Sequence, residues 1–493
     1  MVSQGFVLRG LGPAGYGSFG YVSHFFNRLF EFLDSGTSIG FFAKTSQRPS
    51  DSKLKVFYFF YVFAGCSAAT LFVMGASTGR LAGIVWPGQA HILIWLGLAY
   101  GVFYWLNQVT ETLIHANALT VRGELLRIGQ QIFGFAAVGI IFLFGVLDVA
   151  SFFLCEIAVF LFLEAGWLLI LRKAGSLTGT IVRLEGEDVK KLAGEFYHYT
   201  KPLLIATWSG IGAALLERWL LQRFGGSAEQ GDYTLAFQIG AMFSLVTNSL
   251  SPLLTREFSA ALGQNDIART RDLFARAVPL MYWIASFFGI FCAFQADSIA
   301  RILGGASYSS AAQAIRIMGV YPALQAFGNL NAVLFYSSGR TREYGVIETA
   351  ITVLGIPMTF FLLAPNALWG LNLGAGGYAV KLMLTTFLSN QILFWSNARF
   401  LKIRFSPLFM FQFHVLLPLT LAAWVGRMAA EHLTENFVGV FLLSGSAYTA
   451  AISLLLLAWP GALGLDKDMV EGLMSIIRRK IGAAVPTATV NAP

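Results

Sequence analysis

Several ionisable residues interrupt long apolar stretches of this chain, among them Arg28, Glu31, Asp34, Glu111, His115, Arg218, Arg316 and Lys381. A charge at mid-bilayer costs about 2.5–3.5 kcal/mol on insertion scales, so such groups face a cavity or a partner. Arg28, Glu31 and Asp34 follow one another three residues apart, on one broad side of a helix. They either neutralise each other locally or line a cavity, and the two readings are compatible. Glu111 and His115 are i,i+4 neighbours. A carboxylate beside an imidazole can carry a coupling proton, or it can be a local pair at a helix end. Glu31, Asp34, Glu111 and His115 are therefore the ion-coupling candidates, while Glu156 and Glu164, which share one apolar run, receive no role.

The cations Arg28, Arg218, Arg316 and Lys381 come two from each half of the chain. A guanidinium offers forked donors and a positive field in a low-dielectric place, the chemistry that holds phosphate oxygens. Arg218 has an alternative in permanent pairing with a carboxylate. Glu217 is next in sequence but points about 100° away around a helix.

Helices must position these groups, and the composition says where. Hydrophobic residues make up 56% of the 493 and charged residues 12%, against about 25% charged in a soluble globular protein. A chain this size cannot build an ordinary wetted surface from so little charge. The net charge of +8 does not point to nucleic acid, because the basic residues fall in the gaps between apolar runs. Cys66, Cys155 and Cys292 each lie within an apolar run without metal or redox spacing, so no metal site is expected.

About 20 apolar residues span a bilayer as a helix. About thirteen such spans are predicted, at 15–43, 56–79, 88–116, 124–146, 149–171, 197–221, 232–255, 274–299, 307–338, 344–364, 374–398, 406–427 and 437–460. The stub before them, Met1 to Gly12, is too short to cross and reads as the outer part of a truncated first helix. With that helix running outward, nearly all loop cations fall in one set of gaps, and the opposite gaps hold only Arg80, Arg223, Arg301 and Arg427. The positive-inside rule then predicts a multi-pass inner-membrane protein with a cytoplasmic C-terminus. The stretch from Arg172 to Phe196 reads as a surface helix leading to Lys201-Pro202, and the tail after about 465 as an amphipathic helix with a disordered end.

The halves echo each other. Gly12-Pro-Ala-Gly-Tyr16 opens one apolar run and Gly225-Gly-Ser-Ala-Glu-Gln-Gly-Asp-Tyr233 another. Setting Tyr16 on Tyr233 also aligns Phe41 with Phe258 and Phe57 with Phe274. The expected fold is an all-α integral membrane protein of two pseudo-symmetric helical lobes around a central cavity. The expected divisions are 1–195 for the N-terminal lobe, 196–400 for the C-terminal lobe, 401–464 for two additional helices and 465–493 for a cytoplasmic tail.

The Leu-Gly-Pro-x-Gly-Tyr-Gly opening, its echo before Tyr233, Asp34-Ser-Gly36, and Lys201-Pro202 followed by Glu217-Arg218 together resemble the Wzx-type polysaccharide flippases. These belong to the multidrug/oligosaccharidyl-lipid/polysaccharide exporter superfamily. The resemblance is diffuse and covers most of the chain. It implies 12 to 14 helices in two lobes around a hydrated cavity. It also implies a substrate, an undecaprenyl-pyrophosphate-linked oligosaccharide for O-antigen lipopolysaccharide or exopolysaccharide, moved from the cytoplasmic to the periplasmic leaflet. Some of Arg28, Arg218, Arg316 and Lys381 would then hold the polyprenyl diphosphate, with membrane lipid around the tail and H⁺ or Na⁺ as coupling ion.

Two other readings stand beside it. A drug or cation antiporter of the same superfamily would favour acidic over basic residues in its cavity. A membrane polymerase or ligase would need a sizeable outer loop, and every outward gap is about 15 residues or shorter. No Walker motif, paired catalytic carboxylates or nucleophile elbow is present, so neither an enzyme nor a cofactor is expected.

Overall fold

In the computed structural model, residues 2–48, 51–176, 184–201, 204–463 and 465 are described. They are helical throughout, with no strand among them. The N-terminal part carries α1 (Val2–Asp34), α2 (Thr37–Gln47), α3 (Ser52–Ala76), α4 (Arg80–Val85), α5 (His91–Ala116), α6 (Thr120–Leu143), α7 (Val149–Lys173) and α8 (Gly186–Thr200). There follow α9 (Leu204–Met242), α10 (Ser244–Gly263), α11 (Ile267–Phe294), α12 (Ala296–Gly304), α13 (Ala311–Met318) and α14 (Tyr321–Ser337). The chain closes with α15 (Thr341–Leu363), α16 (Gly374–Leu401), α17 (Phe405–Leu433) and α18 (Phe437–Ala458). Pro202, Arg183 and the tail from 466 lie outside the described residues.

Among the described residues, eight helices (α3, α5, α6, α7, α11, α15, α17 and α18) are long and apolar enough to cross a membrane. Their outer faces display large apolar side chains such as Phe60, Phe63, Leu71, Ile132 and Leu143, all more than half exposed. Such faces are stable against lipid and would not be in water. The chain is a multi-pass membrane protein.

Local chemistry sets the helix ends. Asp51, Asp148, Asp266 and Asn436 each accept a backbone N–H from the first turn of α3, α7, α11 and α18, satisfying donors that have no partner within the helix. Several predicted spans are broken: 232–255 divides between α9 and α10, and 274–299 between α11 and α12. The run 15–43 stops at Ser35 and Gly36, both with positive φ, and the chain restarts as α2. The run 307–338 divides into α13 and α14.

The residues form two compact units. The first comprises 1–236, 303–314 and 348–382; the second comprises 237–302, 315–347 and 383–493. The first has a core of large aromatics, with Phe26, Phe30, Tyr58, Trp86, Trp105 and Trp167 fully buried. The second packs Phe258, Phe274, Tyr282, Phe327, Phe394 and Tyr448 in the same way.

The internal repeat is present at a different register from the one the tyrosines suggest. α1 breaks at Gly12 (φ 64°, ψ 177°) and α9 at Gly226 (φ 76°, ψ −173°). Only glycine takes such angles without strain. Equating the two breaks gives an offset of 214 in place of 217, and Gly17 then corresponds to Gly231. The equivalence follows backbone conformation, which the side-chain identity of Tyr16 and Tyr233 does not report.

Candidate functional site

A polar seam runs through the apolar interior of the first unit, and α1 supplies its middle. His24, Arg28 and Glu31 are spaced i, i+4, i+7 and share one helix face. Arg28 Nη1 donates to Glu31 Oε2 at 2.5 Å, each side chain being about a third exposed (37% and 36%). His24 lies beside Ala214 of α9 and within electrostatic reach of both Arg218 and Arg28. Its Nε2 is buried without a hydrogen-bond partner among the described residues. His24 thus stands near both the cation of α1 and the cation of α9.

On α9 the adjacent residues Glu217 and Arg218 face different partners, as their separation around the helix requires. Glu217 receives Lys381 Nζ from α16 on one carboxylate oxygen and the Tyr378 hydroxyl on the other, at 3.1 Å. Both members of the ion pair are buried, with side chains 7% and 8% exposed. The lysine has room because residue 355 is glycine: a Cβ there would stand 2.9 Å from Lys381 Cε.

Arg218 is equally buried and meets no carboxylate among the described residues. Its Nη1 donates to Gln230 Oε1 at 2.8 Å and to Thr234 Oγ1 at 3.2 Å, and Gln230 Nε2 donates back to the Arg218 carbonyl at 2.6 Å. The guanidinium carbon lies 4.6 Å from the centroid of the Tyr233 ring, which in turn packs at 4.3 Å on Tyr378. Neutral amide, hydroxyl and π partners hold the side chain in place and leave its charge uncancelled.

Further along α5, Tyr104 lies within electrostatic reach of Glu31, Arg28 and Glu111. Glu111 accepts from Arg127 and lies 3.4 Å from His115 Nε2, while His115 Nδ1 stands 3.2 Å from Thr120 Oγ1. Ligand atoms of Glu111, His115 and Glu124 fall within 4.8 Å of one another. The Arg127 guanidinium already reaches both carboxylates, so the group is an ion-pair knot at the end of α5.

Asp34 has left the face that carries Arg28 and Glu31. Its carboxylate accepts from Gly36 N, Ser38 N, Ser38 Oγ, Thr37 Oγ1, Tyr58 Oη and Trp105 Nε1. Six donors on one buried carboxylate make it the joint between α1 and α2. Arg316 sits in the second unit on α13, with its side chain 55% exposed. It is paired at 2.9 Å with Asp297, which also receives Arg427 at 3.2 Å.

The first unit carries these residues in separate groups: the Arg28–Glu31 pair, the Glu111–His115–Arg127 knot, and Arg218 next in sequence to the Glu217–Lys381 pair, with Asp34 bound elsewhere. His24, Gln230, Thr234 and Tyr378 also take part without having a role in the sequence reading, where Tyr233 marks only the repeat. The i, i+4 spacing of His24 to Arg28 was the available signal for the first. Glu164 also has partners: Thr110 Oγ1 donates at 2.6 Å and Asn107 Nδ2 at 3.2 Å.

No protein-family model matches the chain, and no curated protein matches it either. Solved structures do. The lipid II flippase MurJ in an inward closed conformation aligns over 92% of this chain and 97% of its own, with TM-score 0.64 and 12% identity. An inward-facing multidrug resistance MATE family transporter of the MOP superfamily aligns over 83% and 94%, with TM-score 0.62 and 15% identity. A MOP superfamily transporter from Pyrococcus furiosus Vc1 aligns over 81% and 91%, with TM-score 0.51 and 14% identity. The likeness spans nearly the whole length of each, and this chain has the fold of the MOP superfamily transporters.

Proposed function

We propose that the protein is a flippase that moves a polyprenyl-diphosphate-linked oligosaccharide across the inner membrane by alternating access. The observation that carries this reading is Arg218. A buried guanidinium with only neutral partners is a standing positive potential in a low-dielectric place, and a diphosphate answers it. Arg28 is the second candidate ligand, since it is part-exposed and its Glu31 pairing is local and wet. Lys381 and Arg316 can contribute only by exchanging Glu217 and Asp297 for the diphosphate. Glu31, Glu111 and His115 are the proposed coupling groups for H⁺ or Na⁺, and Asp34 holds the helices that present them.

The neighbours support this by category. One is a lipid II flippase and shares the fold over most of both chains. Another is described as having a binding pocket of reversed polarity, from which a different function was suggested. For this chain, a buried Arg218 held by neutral partners fits an anionic lipid better than an organic cation. The two-lobe division at 1–195 and 196–400, the cytoplasmic C-terminus, and a role in O-antigen or exopolysaccharide export belong to the same proposal.

The test is reconstitution in proteoliposomes with a fluorescent polyprenyl-diphosphate sugar, scored by accessibility to a membrane-impermeant quencher. Wild-type protein is expected to equilibrate the lipid between leaflets, and Arg218→Gln to fail while remaining folded. Transport of an organic cation in place of the lipid would replace this reading with an antiporter.

A further inference from the structure

The second unit carries a groove of about 580 Å³, open to one side, where the start of α15 meets the end of α16. Its walls are Val346 and Ile347 of α15 and Ile392 and Trp395 of α16, and its end is closed by Arg340, Arg342, Glu343 and Ser396. The proposed flippase action uses none of these residues.

The charges at this end fall into two sets. Arg340 is spent: it donates to Glu343 at 3.0 and 2.8 Å, to Asn397 at 3.1 Å and to Ser396. Its guanidinium lies between the rings of Phe335 and Phe400, at 4.4 and 4.9 Å. This knot neutralises Glu343 and stiffens the end wall. Arg342 and Arg399 are not spent. Both are exposed, and neither meets a carboxylate among the described residues. The Arg399 guanidinium carbon lies over the groove-lining ring of Trp395, 4.2 Å from its centroid. The N-terminal end of the 23-residue α15, with its positive dipole, lies at the same end of the groove as Arg342.

We infer that this groove is a binding site for one anionic phospholipid, its phosphate held by Arg342 and Arg399 and an acyl chain lying along Val346, Ile347, Ile392 and Trp395. Arg342 at the charged end of the groove and Arg399 over its Trp395 wall complement a lipid that is anionic at one end and apolar beyond. A tryptophan at the junction suits the headgroup boundary, where its ring is half in and half out of the hydrocarbon. Basic pockets between membrane helices hold acidic headgroups by the same combination. A zwitterionic lipid brings its own ammonium against the arginines, and a small phosphate ester lacks the chain.

The experiment is native mass spectrometry of the full chain in detergent, titrated separately with phosphatidylglycerol, phosphatidylethanolamine and glycerol 3-phosphate. Wild type should retain one phosphatidylglycerol in preference to phosphatidylethanolamine and none of the soluble ester. Arg342→Gln with Arg399→Gln should weaken retention about 30-fold, from the loss of two basic groups at an anionic headgroup. Val346→Trp, which fills the channel and leaves both charges, should abolish it. Equal retention of the two phospholipids, capture of glycerol 3-phosphate alone, or unchanged phosphatidylglycerol binding in both variants would each overturn the site. The result is independent of whether the seam around Arg218 moves a lipid-linked sugar.

Discussion

Gly17 and Gly231 pack backbone to backbone, and each fills the space the other's missing side chain leaves. A Cβ on Gly17 would strike the carbonyl oxygen of Ser227 and come within 2.6 Å of Gly231 N; one on Gly231 would strike the carbonyl of Pro13 and stand 3.2 Å from Gly17 N. Under the 214 offset Pro13 corresponds to Ser227, so each contact is the image of the other. This is what a two-fold relationship between repeated helices produces at its axis. Ser18 Oγ donates to Ser227 Oγ at 3.1 Å beside it.

Gly17→Ala and Gly231→Ala are each expected to lose about 1–3 kcal/mol, because rigid backbone on the opposite helix must move. Gly75→Ala and Gly139→Ala, where a Cβ meets nothing within 4 Å, should be neutral or slightly stabilising. Thermal unfolding in one detergent compares the four. Equal melting temperatures across the set would remove the crossing as a constraint.

The buried pair Glu217–Lys381 should behave non-additively. Glu217→Gln or Lys381→Met alone leaves an uncompensated charge and is expected to cost about 3–5 kcal/mol, while the double variant should cost less than the worse single. A double-mutant cycle by chemical denaturation gives the answer, and simple additivity would mean the two charges do not rely on each other.

Arg218→Lys keeps the charge and removes the fork that reaches Gln230 and Thr234 together with the flat face on Tyr233. Transport in proteoliposomes is expected to fall at least about tenfold, the equivalent of one charge-assisted hydrogen bond. Wild-type rates for the lysine variant would show that charge alone suffices.

Asp34 and Glu31 should separate cleanly. Asp34→Ala strands six donors and is expected to lower the melting temperature and destabilise the α1–α2 joint. Glu31→Ala removes one part-exposed ion pair, worth about 0–1 kcal/mol, and should leave the fold intact while altering the pH dependence of transport. The reverse pattern would move the coupling role to Asp34.

Surface helix α8 is held by carboxylates. Lys44 donates to Glu195 at 2.6 Å, Arg48 donates to the same group at 3.1 Å, and Lys53 donates to Asp188 at 2.7 Å. The Lys44 hydrogen bond holds the Glu195 carboxyl below its usual range, and the Lys53 bond does the same for Asp188. Groups with a depressed folded value add stability that is complete above their unfolded value and lost as pH falls through the folded one. α8 should therefore stay docked at neutral pH and loosen below about pH 4. Amide exchange across 186–200 at pH 7 and pH 3.5, corrected for intrinsic rates, is the measurement; unchanged protection would show that Leu192 and Phe196 in the core carry the docking alone.

Composition and hydropathy already determined that this chain is a helical membrane protein, because too few charges cannot wet a surface and long apolar runs must satisfy their backbone internally. They also marked Arg28, Glu31, Arg218 and Lys381 as costly residues in need of partners. Which partner each took was decided only in three dimensions. Glu217 and Arg218 are neighbours in sequence, yet helix geometry sends one to Lys381, more than 160 residues away, and the other to Gln230 and Tyr233. Asp34 shares a pattern with Arg28 and Glu31, but the turn at Ser35 and Gly36 places it against Tyr58 and Trp105. The repeat was visible as two glycine-rich openings, while its register waited on φ at Gly12 and Gly226. Spacing along one helix constrains direction; the identity of the group waiting there depends on chain brought back from far away.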